Sequence, residues 1–165
     1  METKLQKGHL ELDVAQLPEA LEFGAKGVWQ GGLKMQIRVR DLAPFVLDEP
    51  KEIGGENAGP APLETLMAAH IECTAVTFMV IAEEMGFDYS GLEIEAACAI
   101  DPKGFLAVGE ATPEIKVVTT KLVVATTEPP ERLQAVQAAY RRRCPVYTTF
   151  RRAGVEMKDV WKSLP

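Results

Sequence analysis

The chain is poor in what several specialised classes of protein require. Three cysteines in 165 residues are too few, and odd in number, for a secreted disulfide framework. His9 and His70 are the whole histidine complement and no CxxC spacing accompanies them, so zinc has no ligand set, and neither metal nor other cofactor is expected. Positive charge is in deficit: 18 Lys and Arg against 24 Asp and Glu give a net charge of −6. Nucleic-acid and anionic-membrane binders rely on clustered cations, and the only basic runs here, Arg141-Arg142-Arg143 and Arg151-Arg152, are short. The opening METKLQKGHLELD has no apolar stretch of the kind a signal peptide carries, so a cytoplasmic location is expected. No Ser-His-acid signature is present, and GGENAG lacks the Lys-Ser/Thr that a phosphate loop needs.

What remains is a globular composition, 47% hydrophobic and 25% charged, at a length that one domain with a real core can use. A single domain over residues 1–165 is expected, with 1–26 as an N-terminal extension. Leu66 to Ala82 reads LMAAHIECTAVTFMVIA, 17 residues that are nearly all apolar. A membrane span needs about 20, and His70 and Glu72 interrupt this run, so it reads as a helix buried on most of its surface.

The periodicity supplies the order of elements. Leu33, Met35, Ile37 and Val39 alternate with Lys34, Gln36, Arg38 and Arg40 after the Gly31-Gly32 turn, the pattern of a half-buried strand. A short strand is predicted at 44–48, then the breaker-rich loop GGENAGPAP. Pro62 opens the long helix and Gly86 stops it. Strands are predicted at 91–100, 104–110 and 114–126, a helix from Pro129, a further helix from Cys144-Pro145 and a last short strand at 155–158. Strands and helices are segregated, which indicates an α+β domain with an antiparallel sheet.

The cysteines differ in their surroundings. Cys98 lies on the apolar face of a strand and reads as a small buried hydrophobe. Cys144 precedes a proline that would be the first residue of a helix, which puts its sulfur near free helix N–H groups and beside three arginines. Both favour a thiolate; a structural cysteine at a helix corner is the plainer reading. Cys73 sits mid-way along the apolar helix with His70, Val76 and Thr77 on its side of the wheel. His70 and Glu72 are costly to bury unpaired, so their presence marks a face that meets a pocket, a polar partner or a subunit boundary.

GGENAGPAPLETLMAAHIECTA, followed 71 residues after Cys73 by RRRCPVYTTFRRAGVEM, resembles the OsmC/Ohr superfamily from about Val28 to Lys158. The resemblance implies an OsmC-like α+β fold, with antiparallel sheets wrapped around a long buried central helix in an intertwined homodimer. It implies a thiol-dependent peroxidase that reduces organic hydroperoxides, Cys73 attacking and Cys144 resolving. The disulfide would be returned to thiols by an external dithiol. A non-catalytic protein that binds an apolar ligand, or a thiol redox sensor, is the alternative on the same scaffold. The peroxidase branches add an arginine after the Gly-Gly turn and a glutamate ten residues before the first cysteine; here those places hold Leu33-Lys34 and Leu63. Lys34 and Arg38, on the polar face of their strand, and Arg143, beside Cys144, are the basic candidates to support the site, with His70 and Glu72.

Overall fold

The computed structural model describes residues 18–164, which form two compact units, residues 18–65 and residues 66–164. Most of the expected N-terminal extension, residues 1–17, lies outside the described residues.

The first unit is a three-stranded antiparallel meander of β1 (Lys26–Trp29), β2 (Met35–Arg38) and β3 (Phe45–Leu47), with Val28 opposite Gln36 and Ile37 opposite Phe45. β1 was not predicted. β2 is shorter than the alternation suggested: Leu33 stays in the turn and is exposed, while Lys34 is drawn in by an ion pair with Glu56 at 2.7 Å. The glycine-rich loop after β3 is tied down by Asp48. This buried carboxylate accepts N–H bonds from Glu56 (2.9 Å) and Ala58 (3.0 Å). The Ala58 amide, with Lys34 helping, holds the carboxyl below its ordinary range against the opposing effect of burial. Gly59 runs so close to β3 that a Cβ would lie 2.0 Å from the Val46 carbonyl oxygen, so no larger residue fits that turn.

The loop delivers the chain to α1 (Pro62–Met85). Glu64 reaches back to accept the Ala61 N–H at 2.8 Å, satisfying one of the donors a helix start leaves free.

The second unit contains α1 from Leu66 onward, β4 (Gly91–Cys98), α2 (Pro102–Phe105), β5 (Val117–Ala125), α3 (Pro130–Arg143), α4 (Pro145–Arg152) and β6 (Glu156–Leu164). The strands form one sheet in the order β4-β5-β6, and the fold class is α+β as expected. β4 pairs antiparallel with β5, but β5 and β6 are parallel, so this sheet is mixed. The cause is the connection: parallel neighbours need a crossover, and α3 and α4 supply it.

The strand expected at 104–110 is absent. Asp101 caps Lys103 N at 2.9 Å and Pro102 opens a single helical turn instead. Gly104 is pressed against the chain at Thr112, where a Cβ would fall 2.2 Å from the carbonyl carbon. Chain packing there overrides the weak apolar alternation.

One stripe of α1, formed by Met67, His70, Thr74, Phe78 and Ile81, is buried at steps of three and four residues. Phe78 packs edge-on against Phe87, Tyr89 and Trp161, and Trp161 also meets Tyr140 at 5.0 Å between ring centroids. Leu122 and Val124 of β5 and Leu133 and Val136 of α3 complete this core. The opposite side of α1 keeps Ala68, Ala69, Glu72 and Val76 exposed. The helix is therefore buried on one side of the chain, less than its composition suggested.

Candidate active site

Cys73 and Cys144, 71 residues apart in sequence, meet with their sulfurs 3.4 Å apart, the Cys144 thiol donating. Both are free thiols. A disulfide bond is about 2.05 Å long, so the two sulfurs are unbonded but in direct contact.

Three local devices hold Cys144 in place. Its N–H bonds to Tyr140 O at 2.9 Å and closes α3, and its carbonyl accepts from Thr148 N at 3.0 Å and opens α4. Its sulfur, the N-cap of α4, accepts from Tyr147 N at 3.5 Å. Pro145, which cannot continue α3 and suits the first position of α4, sets the corner between them. The helix-start placement expected from Cys144-Pro145 is what the structure has. Cys144 is completely buried, whereas Cys73 is only partly so.

Burial pushes the Cys73 thiol up, and the adjacent Cys144 adds to this; the Val146 amide and the Thr77 hydroxyl pull the other way. The first amides of α4 are thus shared, Val146 serving Cys73 and Tyr147 serving Cys144. Two of the three arginines before Cys144 are engaged elsewhere. Arg143 grips Glu84 with both terminal nitrogens, one of them at 2.9 Å. Arg141 bonds Asp159 at 3.0 Å.

His70 is fully buried on the core stripe. Its Nε2 lies 2.9 Å from Thr120 Oγ1, its ring stands edge-on to Phe150, and its Nδ1 has no partner. Burial lowers its pKa, with Asp159 opposing, so the ring is neutral. A proton on Nε2, donated to Thr120, leaves only a bare lone pair at Nδ1, the less costly arrangement. Glu72 is exposed on the far side of α1. Lys34 and Arg38 belong to the first unit, where Lys34 pairs with Glu56 and Arg38 is exposed. Cys98 is half-buried on β4, its thiol pushed up by burial.

Two residues that the sequence did not single out make polar contacts with the helices that carry the cysteines. Thr74, next to Cys73, donates to His70 O at 2.8 Å and lies 3.0 Å from the Tyr140 hydroxyl. Asp159, whose side chain is nearly buried, receives Gln137 at 2.9 Å as well as Arg141. The signal for that contact was Gln137 itself, the polar interruption in the apolar stripe of α3.

The chain matches the family model for OsmC-like proteins over residues 54–158. No curated protein sequence matches it. Among solved structures it is similar to an OsmC-like protein from Mycoplasma pneumoniae, with a TM-score of 0.76 at 13% identity over 88% of this chain and 99% of that one. An organic hydroperoxide resistance protein from Elizabethkingia anophelis gives 0.71 at 16% identity, covering 90% and 100%. The OsmC of Legionella pneumophila, described as an organic hydroperoxide resistance protein and predicted redox protein, gives 0.69 at 19%, covering 87% and 98%. At such identities the likeness is one of fold. The family model, spanning both cysteines and the loop that leads into α1, establishes that the chain belongs to the OsmC-like family.

Proposed function

We propose that the protein is a thiol-dependent peroxidase that reduces organic hydroperoxides through a Cys73–Cys144 disulfide cycle. The observation that carries this reading is the approach of the two sulfurs to 3.4 Å. Cys73 is the more accessible thiol and makes the first attack. Its thiolate displaces the alcohol from the O–O bond and becomes a sulfenic acid. Cys144 then attacks that sulfur, the S–S bond forms and water leaves. An external dithiol returns both residues to thiols by exchange.

In this reading the protein is a cytoplasmic homodimer, consistent with free thiols and with the exposed small and apolar residues on the outer side of α1. A second chain laid there would complete the burial that the composition of α1 calls for.

Two observations favour the second reading, a thiol sensor or apolar-ligand binder without turnover. Leu63 stands where a glutamate would orient the thiolate, and burial disfavours charge on Cys73. The experiment that separates the two is consumption of cumene hydroperoxide in the presence of dithiothreitol. Turnover that disappears in Cys73→Ser supports the enzyme. Stoichiometric oxidation without turnover supports the sensor, and equal, slow loss of thiols in wild type and Cys73→Ser rules out both redox readings.

A further inference from the structure

Tyr140 is completely buried, and so are Thr74 and Cys144 beside it. The protons around its hydroxyl can be counted. Thr74 has one, and at 2.8 Å it is given to His70 O. The 3.0 Å contact between Tyr140 and Thr74 is therefore made by the tyrosine proton, with Thr74 Oγ1 accepting. Cys144 lies one helical turn beyond Tyr140, its N–H bonded to Tyr140 O at 2.9 Å, and its thiol also acts on that hydroxyl. Burial keeps the phenol protonated well above its ordinary range, so it acts as a donor and not as a base.

From this arrangement we propose that Tyr140 is a positioning residue for the Cys144 sulfur. Its hydroxyl rests on Thr74 while Cys144 is a thiol and turns to Cys144 whenever that sulfur carries negative charge. The inference rests on the two-cysteine cycle above and concerns its reductive half. An incoming thiolate of the external dithiol attacks Cys73, the sulfur that solvent reaches. A bond forms between the reductant sulfur and Cys73, the Cys73–Cys144 bond breaks, and the electron pair stays on Cys144. The second thiol of the reductant then attacks its own mixed disulfide and frees Cys73. The two protons of the dithiol end on Cys73 and Cys144.

The leaving sulfur is shut away from water, so its charge must be met by protein donors. The Tyr147 amide is one, at a long 3.5 Å. The tyrosine proton is the second. When it turns, Thr74 keeps its own bond to His70 O and only an acceptor lone pair is left bare, so the exchange strands no donor.

The test uses full-length protein oxidised with diamide, which makes the disulfide whether or not peroxides are substrates. Inability of peroxide to oxidise Cys73 would therefore defeat the peroxidase reading and leave this test intact. In Tyr140→Phe, reduction by dithiothreitol is expected to slow about tenfold, equivalent to about 1.4 kcal/mol. In a Cys73→Ser, Cys98→Ala background, the same change is expected to move the thiolate titration of Cys144, read by ultraviolet absorbance, about one pH unit upward. A folded Tyr140→Phe protein with unchanged reduction rate and titration overturns the proposal. Thr74→Ala keeps the tyrosine hydroxyl and removes its competing acceptor, so it should reduce as fast as wild type or faster. Slowing comparable with that of Tyr140→Phe would assign the effect to packing, and the proposal would fall even if Tyr140→Phe did not fold.

Discussion

Arg143 stands next to Cys144 in the chain, yet its guanidinium is held by Glu84 in the last turns of α1, with both terminal nitrogens engaged. The bond ties the end of α3 to the end of α1, close to the corner that positions the Cys144 sulfur. Both side chains are about half exposed, so solvent screens most of their attraction. Arg143→Ala is expected to cost under about 1 kcal/mol, less still at high salt. The Arg143 charge holds the Glu84 carboxyl below its ordinary range, so the contribution is present above the unfolded carboxyl value and is lost as pH falls through the folded one. A double-mutant cycle with Glu84→Gln, read by urea unfolding at two pH values, checks both statements.

His70 gives a dependence of the same sign, in a higher pH window and on a different group. Burial lowers its folded pKa, so the unfolded chain takes up the proton first. Stability is complete above the unfolded value of about 6.5 and declines as pH drops below it. Urea midpoints measured from neutral to mildly acidic pH should fall for wild type. In His70→Gln the decline between about pH 6.5 and pH 5 should be shallower; an identical slope would place the acid sensitivity elsewhere.

Phe78 is the hub of the aromatic core, in edge contact with three other rings. Phe78→Ala should cost about 3–5 kcal/mol, the transfer free energy plus the cavity it leaves. Chemical denaturation with Trp161 fluorescence would report it directly.

Where the sequence could be read, local chemistry decided the structure. Pro62 and Gly86 bracket α1, and Cys144-Pro145 makes a corner because proline both stops one helix and starts the next. The long central helix was legible from its apolar content, but not which side of it would face the core. β6 was read as four residues and is nine. Its inward positions include Asp159 and Ser163 among Met157 and Trp161, so the period of two was masked by polar residues. Asp159 can sit there only because Gln137 and Arg141 come over from α3 to bond it. The two sulfurs were paired by family resemblance and not by any local signal. The Thr74–Tyr140 contact, spanning 66 positions, left no trace in either segment.

The corner at Cys144 has a consequence for how oxidation could be noticed by other molecules. Its backbone belongs to two helices at once, and its sulfur already lies beside Cys73, so joining them asks for a small rotation of side chains and no rearrangement of either helix. Oxidised and reduced chains should then share nearly one outline. In the proposed cycle, whatever recognises the oxidised form would do so by reacting with the sulfur itself, because the silhouette of the molecule carries no message.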